Sequence, residues 1–173
     1  MVEAGRNGGF ETTEGLHLLW ELAGQPENIV LRALDGELDG MEYYESEYRW
    51  PAVHGSNGSV TVTVPRAGEF YVGVVVYERT EPDAELSFEM SLDDEVVGSF
   101  FPCESDNRQR LYSLTRPLSF EGGERITVRT GDKGFHLIED IMLLRMKPPV
   151  RKRRLEIGNF EAALSRREAE DAL

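Results

Sequence analysis

Cysteine is almost missing from this sequence of 173 residues, which contains only Cys103. One thiol excludes an internal disulfide and a metal site built from several cysteines, and a lone cysteine is more typical of a buried hydrophobic residue than of a nucleophile. The three histidines, His17, His54 and His136, are scattered and show no metal-binding spacing such as HExxH. A glycine-rich phosphate-binding loop between a strand and a helix is also lacking. We therefore predict a non-catalytic chain with no cofactor.

Long hydrophobic runs are also absent. The apolar runs of this sequence are only a few residues long, whereas a membrane-spanning helix needs about 20 apolar residues. The first residues, MVEAGRNGG, lack the charged and then apolar profile of a signal peptide. We expect no membrane insertion, and either a cytoplasmic protein or a piece of a longer secreted chain.

Positive charge is scarce, since 19 lysines and arginines stand against 32 aspartates and glutamates and the net charge is −13. A surface of this sign repels the phosphates of nucleic acids. It also disfavours anionic membranes and acidic glycans for the same reason. We expect no nucleic-acid partner, and a preference for neutral ligands or cations.

The sequence does contain short segments with the two-residue period of β-strands, in which successive side chains point to opposite faces. Residues 60–64 alternate valine with threonine, and residues 85–92 alternate large apolar side chains with smaller or polar ones. Residues 69–77 are apolar on both faces, which predicts a central strand that is covered on both sides. Asp93 and Asp94 predict a tight hairpin turn after residues 85–92, because aspartate tolerates turn conformations.

The remaining sequence predicts further short strands. Residues 29–34 are the first strand of the expected domain, and residues 35–58 are a long polar loop. Residues 110–116, 125–130 and 135–146 are three later strands. Short strands with turn signals about every 8–12 residues are typical of an all-β sandwich rather than of alternating strands and helices.

Three parts of the chain are therefore predicted: an N-terminal extension (1–28), an antiparallel β-sandwich (29–147) and a basic linker with a possible short helix (148–173). The apolar run at residues 16–22 is either an added strand or a helical turn that packs on the sandwich. Asn159 is a residue type that caps helices, but a linker toward another domain is the favoured interpretation of the C-terminal segment.

Four passages, residues 64–71, 92–98, 118–126 and 138–143, follow one another along the chain, and their motifs and order resemble those of the galactose-binding-like jelly rolls, in particular the carbohydrate-binding modules of families 6 and 35. Residues 64–71, VPRAGEFY, are similar to a turn-and-strand motif of these modules, and residues 92–98 to a hairpin motif. Residues 118–126, with one additional residue, and residues 138–143 are similar to two later strand motifs. The resemblance implies an antiparallel jelly-roll sandwich over roughly residues 29–147.

The resemblance also implies a structural calcium ion, held between a glutamate–alanine–glutamate segment of the first strand and a carboxylate of the last strand. In the matching segment, Arg32 and Leu34 replace the two glutamates. Calcium needs about six or more oxygen ligands, whereas an arginine repels the ion and is able to pair with Glu139 or Asp140 instead. We therefore predict no metal site. A rival alignment on residues 45–47 leaves too short a loop before the next strand and ranks lower.

A sugar site combines flat aromatic faces with polar groups. Residues 42–55, EYYESEYRWPAVHG, supply both, and the resemblance implies that the loops at one rim form the cleft, where the turn at 132–136 is also expected. The predicted ligand-binding residues are Tyr44, Tyr48, Trp50, Asp132, Phe135 and His136. The alternative is that Trp50 and two of the three tyrosines only cover the core, as large aromatic residues usually do.

The function that the resemblance implies is that of a non-catalytic carbohydrate-binding module, ancillary to a larger extracellular or cell-surface protein. Its partners would be a neutral glycan or polysaccharide and the other domains of a longer chain. The alternative is a structural or protein-interaction β-sandwich with no sugar site, which the loss of the two glutamates favours.

Overall fold

The computed structural model of the chain describes residues 10–14, 16–44, 51–79, 88–100, 109–132 and 135–148. In chain order these residues form β1 (Phe10–Glu14), α1 (Leu16–Gly24), β2 (Ile29–Arg32), a 3₁₀ turn (Ala33–Asp35), β3 (Glu37–Asp39), β4 (Glu42–Tyr44), β5 (Ala52–His54), β6 (Ser59–Thr63), β7 (Gly68–Arg79), β8 (Phe88–Leu92), β9 (Glu95–Phe100), β10 (Gln109–Leu114), β11 (Leu118–Phe120), β12 (Arg125–Thr130) and β13 (Phe135–Leu144). Tyr48, Trp50, Cys103 and the segment from residue 149 onward, with its predicted linker or helix, lie outside the described residues.

The strands form two antiparallel sheets. The larger sheet has the order β1-β10-β7-β13-β5-β4, with β11 beside β7 and β2 beside β13. The smaller sheet has the order β3-β6-β12-β8-β9. The predicted all-β antiparallel sandwich is confirmed. The only helix of the described residues, α1, has nine residues, and none of the described part of the chain is a helix long and apolar enough to cross a membrane.

The main core lies between the two sheets, where the inward faces of their strands meet. From β7 it takes Val72, Val74 and Val76, each no more than 3 % exposed, and the smaller sheet contributes Val60 and Val128. This is the alternation that the sequence predicts, because every second residue of a strand points to the same face.

A second apolar cluster covers the opposite face of β7. Val75 and the partly buried Tyr71 pack there with Met142 of β13. The helix α1 closes this cluster through Leu19 and Leu22. The prediction of a central strand that is covered on both sides is confirmed, and the cover on the outer side comes from the N-terminal segment. The same segment also adds β1 to the sheet, paired with β10.

The hairpin predicted at Asp93 and Asp94 is confirmed. It joins β8 to β9, with Leu92 opposite Glu95, and both aspartates have positive φ angles of 49° and 74°. Consecutive positive φ angles are typical of the two-residue turns that match the twist of a hairpin. The Asp93 carboxylate also accepts a hydrogen bond from the backbone N–H of Arg125, at 2.9 Å.

The segment around residues 29–58 differs from the prediction. The first strand ends at Arg32 and a 3₁₀ turn follows, whereas the sequence predicts a strand to residue 34. The segment predicted as one long loop contains the strands β3, β4 and β5, each of three residues. Three residues are too few to show a periodic pattern, so these strands depend on the partners that the fold brings beside them.

The last strand, β13, contains an irregularity that matters for the site. Its register against β7 shifts between Ile138 and Asp140, so that Glu139 is an additional residue in a β-bulge. On the other side of β13, β5 pairs with Leu137 and Ile138, whereas β2 pairs with residues 140–143. The bulge therefore lies at the junction where β5 gives way to β2.

Candidate functional site

Strands β4 and β5 present aromatic side chains at the open edge of the larger sheet. Tyr44, at the end of β4, lies opposite Ala52, and its ring meets the ring of His54 edge to face, with 5.2 Å between the centroids. The neighbouring Tyr43 is 48 % exposed. Tyr43 points to the opposite face from Tyr44, because successive side chains of a strand alternate, and β4 is the last strand of this sheet among the described residues.

A second group of residues lies at the other end of β5, where two turns are joined. The N–H of Asn57 donates a hydrogen bond to the carbonyl of Gly131, at 2.9 Å. The hydroxyl of Thr130 donates to the carbonyl of Gly55 at 2.9 Å and accepts from the N–H of Gly58 at 3.1 Å. One buried hydroxyl thus satisfies two backbone groups of the 55–58 turn and fixes it against the residues before Asp132.

We expect Thr130→Val to lower the free energy of unfolding by about 1–3 kcal/mol, because the isosteric side chain leaves two buried backbone groups without their partner. Urea denaturation followed by circular dichroism measures the change. The control is Thr63→Val, at an exposed position of β6, which we expect to change stability by less than about 0.5 kcal/mol. Equal effects of the two substitutions would contradict this role of the Thr130 hydroxyl.

The predicted site residues fall into two groups at opposite ends of β5. Tyr44 lies at the end from which the β4–β5 loop leaves, and Asp132 is exposed in the turn at the other end. His136 is only 3 % exposed, so its side chain lies inside the protein rather than on the surface. Phe135 begins β13, but its side chain is outside the described part of the structure, as are Tyr48 and Trp50. The backbone carbonyl of His136 accepts a hydrogen bond from Gly55, at 3.4 Å.

The site predicted from the sequence does not include Tyr43 or His54. Tyr43 is the more exposed tyrosine of β4, and His54 is the ring that meets Tyr44. A strand pairing of β4 with β5 would have placed Tyr44 and His54 on one face, but the segment shows no alternation from which that pairing could be predicted.

A groove of about 510 Å³ opens elsewhere, between β2 and β6. Its lining includes Arg32, Asp35 and Glu37, together with threonine hydroxyls of β6. Glu37 makes a two-fold hydrogen bond with Arg125, at 2.7 and 3.0 Å, which lowers the pKa of its carboxyl group. No described lining residue of the groove is aromatic, so it lacks a stacking surface for a sugar ring.

Solved structures that are similar to this chain include several carbohydrate-binding modules. A family 35 carbohydrate-binding module from Clostridium thermocellum has 11% identity, with a TM-score of 0.51 over 67% of this chain and 96% of the module. The CBM36-1 domain of a multidomain xylanase, from the hindgut metagenome of Trinervitermes trinervoides, has 14% identity and a TM-score of 0.50 over 67% and 95% of the two chains.

The chain has the jelly-roll fold of carbohydrate-binding modules. A GH26-CBM35 β-(1,4)-mannanase of Podospora anserina is also similar, with 14% identity and a TM-score of 0.54 over 70% of this chain. This chain covers only 28% of that mannanase, so the likeness concerns a part of the enzyme. No family model and no curated protein sequence matches the chain.

The calcium ion that the jelly-roll resemblance implies does not fit the residues of this chain. Arg32 brings a positive charge to the expected position, and the side chain of Leu34 packs against the main core instead of offering an oxygen. Among the described residues, no group of three or more histidine, cysteine, aspartate or glutamate side chains is placed to hold a metal ion.

Two acidic residues are nevertheless buried at the β13 bulge. Glu139 is 1 % exposed and Asp140 is 8 % exposed. Burial raises the pKa of Asp140 to about 6, and the positive charge of Arg32 partly opposes this rise. Arg32 lies directly opposite Asp140 in the β2–β13 register.

Proposed function

We propose that this domain is a non-catalytic module that binds a neutral glycan, ancillary to a larger extracellular protein. The observation that carries the proposal is the aromatic pair of Tyr44 and His54 on β4 and β5, on a fold shared with solved carbohydrate-binding modules. Aromatic side chains bury the apolar face of a sugar ring, and neighbouring polar groups bind its hydroxyls.

The polar groups beside this edge suit a neutral ligand. Glu42 is exposed and lies opposite His54 in the β4–β5 register, so an acceptor for sugar hydroxyls stands next to the aromatic pair. A net charge of −13 disfavours an acidic polysaccharide. Tyr48, Trp50, Asp132 and Phe135 remain further contacts that the sequence alone predicts. His136 is buried, so we do not expect its side chain to contact the sugar.

The test is a glycan array with the purified chain, followed by calorimetric titration of the best oligosaccharide. We expect Tyr44→Ala to weaken binding about tenfold, because losing one stacking face removes roughly 1.4 kcal/mol. Tyr43 points to the opposite face of β4, so we expect Tyr43→Ala to change the affinity little. Tyr43→Ala should leave the melting temperature nearly unchanged, since that side chain is 48 % exposed.

The matched control is Trp20→Ala, which removes an aromatic side chain of similar exposure, 45 %, from α1. We expect this variant to bind like the wild-type protein. A folded protein that binds nothing on the array would reject the proposal and favour a structural or protein-interaction domain. Unchanged affinity of Tyr44→Ala would place the glycan elsewhere on the surface.

A further inference from the structure

Two buried acidic residues lie at the junction between β2 and β13. At this point β13 changes partner from β5 to β2, and the bulge residue Glu139 and the next residue, Asp140, both lie in the interior. A buried carboxylate is costly unless a positive charge or hydrogen bonds compensate it. The ionised form of Asp140 therefore needs a positive charge or hydrogen bonds at this junction.

Arg32 is the residue that meets this need. It is the last residue of β2 and lies opposite Asp140, and its side chain is exposed, so that the guanidinium remains hydrated while its charge acts on the buried acid. Glu37, which lines the same groove as Arg32, already forms an ion pair with Arg125. Arg32 is therefore not needed to balance the charge of Glu37.

We propose that the guanidinium of Arg32 supplies from within the chain the positive charge that a bound divalent cation would bring to the β2–β13 junction. This charge then stabilises the pairing of β13 with β2 without a metal ion. Leu34 completes the exchange, because it fills the core with an apolar side chain where a second acidic ligand would otherwise stand. The inference concerns the scaffold and holds whether or not the domain binds a glycan.

The first experiment compares thermal unfolding of the wild-type chain in excess calcium chloride and in EDTA. We expect the same melting temperature in both. A melting temperature that rises with calcium would overturn the proposal, because it would show that the native state binds the ion.

The second experiment removes the charge. We expect Arg32→Gln to lower the melting temperature at pH 7.5 by about 2–6 °C in either solution. Arg32→Lys keeps the positive charge, so we expect its melting temperature to lie close to that of the wild-type protein. The control is Arg129→Gln, which removes an exposed strand arginine that is paired with Glu89 at 3.1 Å. An exposed pair contributes little, so we expect a change of less than about 2 °C.

A double-mutant cycle distinguishes charge from packing. In an Asp140→Asn background we expect Arg32→Gln to lose most of its effect, because the acid that needs compensation is gone. An undiminished effect in that background would show that the stem of Arg32 acts by packing, and would overturn the proposal. A loss for Arg32→Gln no larger than that for Arg129→Gln would do the same.

Discussion

Replacing Leu19 by alanine should lower the free energy of unfolding of the whole domain by about 2–5 kcal/mol. Leu19 is 1 % exposed and packs in the second apolar cluster, where α1 covers the outer face of β7 and β13. Truncating a buried leucine removes its transfer free energy and leaves a cavity. The measurement is urea denaturation, followed both by circular dichroism and by tryptophan fluorescence.

The control for this prediction is the next residue of the same helix. Trp20 is 45 % exposed, so Trp20→Ala should change the free energy of unfolding by less than about 1 kcal/mol. If Leu19→Ala leaves the midpoint of the sandwich unchanged, then α1 is an appendage that unfolds separately from the sheets. A single shifted transition would make α1 part of the cooperative unit.

Asp140→Asn should stabilise the domain at pH 7.5, by as much as about 3 kcal/mol, and have little effect near pH 3.5. Burial raises the pKa of Asp140 from 3.8 in the unfolded chain to about 6. A rise of this size corresponds to about 3 kcal/mol, which the folded state loses whenever the carboxyl group is ionised. Asparagine is nearly isosteric with the protonated acid and never carries the charge.

The pH window follows from the sign of this shift. Between about pH 6 and pH 3.8 the folded state holds a proton on Asp140 that the unfolded chain has released, so the contribution of this group to stability grows as the pH falls. Glu37 and Glu124 have lowered pKa values and act in the opposite direction, but Asn at position 140 leaves both of these groups in place. The informative quantity is therefore the difference in melting temperature between Asp140→Asn and wild type across this range. A difference that does not depend on pH would contradict the raised pKa.

The longer strands are predictable from this sequence, because each carries enough residues to show either alternation or a continuous apolar run between turn signals. The strands β6, β7, β12 and β13 and the Asp93–Asp94 turn all lie where the pattern places them. The all-β sandwich follows from that series of strands and turns, and the jelly-roll class follows from the resemblance to carbohydrate-binding modules. The bulge at Glu139 does not follow, because it depends on how β13 is registered against β7.

The candidate site is less predictable because it is built on the shortest strands. Whether Tyr43 is exposed and whether Tyr44 meets His54 depend on the pairing of β4 with β5, which three residues per strand do not specify. Burial of His136 likewise depends on its neighbours in the folded sheet, since a histidine near a turn is polar enough for the surface. Residue type and spacing suggest a region for the site, but they do not determine which of its side chains reach solvent.

The position of β13 in the larger sheet has a consequence for how the chain folds. It lies between β7 and β2, so a strand from residues 135–144 pairs with one from residues 29–32, and β1 pairs with β10 across a similar separation. Pairings so distant in sequence lose much loop entropy before they gain contacts, which is typical of slowly folding all-β domains. During synthesis on the ribosome, the apolar β7 strand has an open edge until β13 emerges. A nascent chain of this kind gains most from a chaperone that covers strand edges until the last strand arrives.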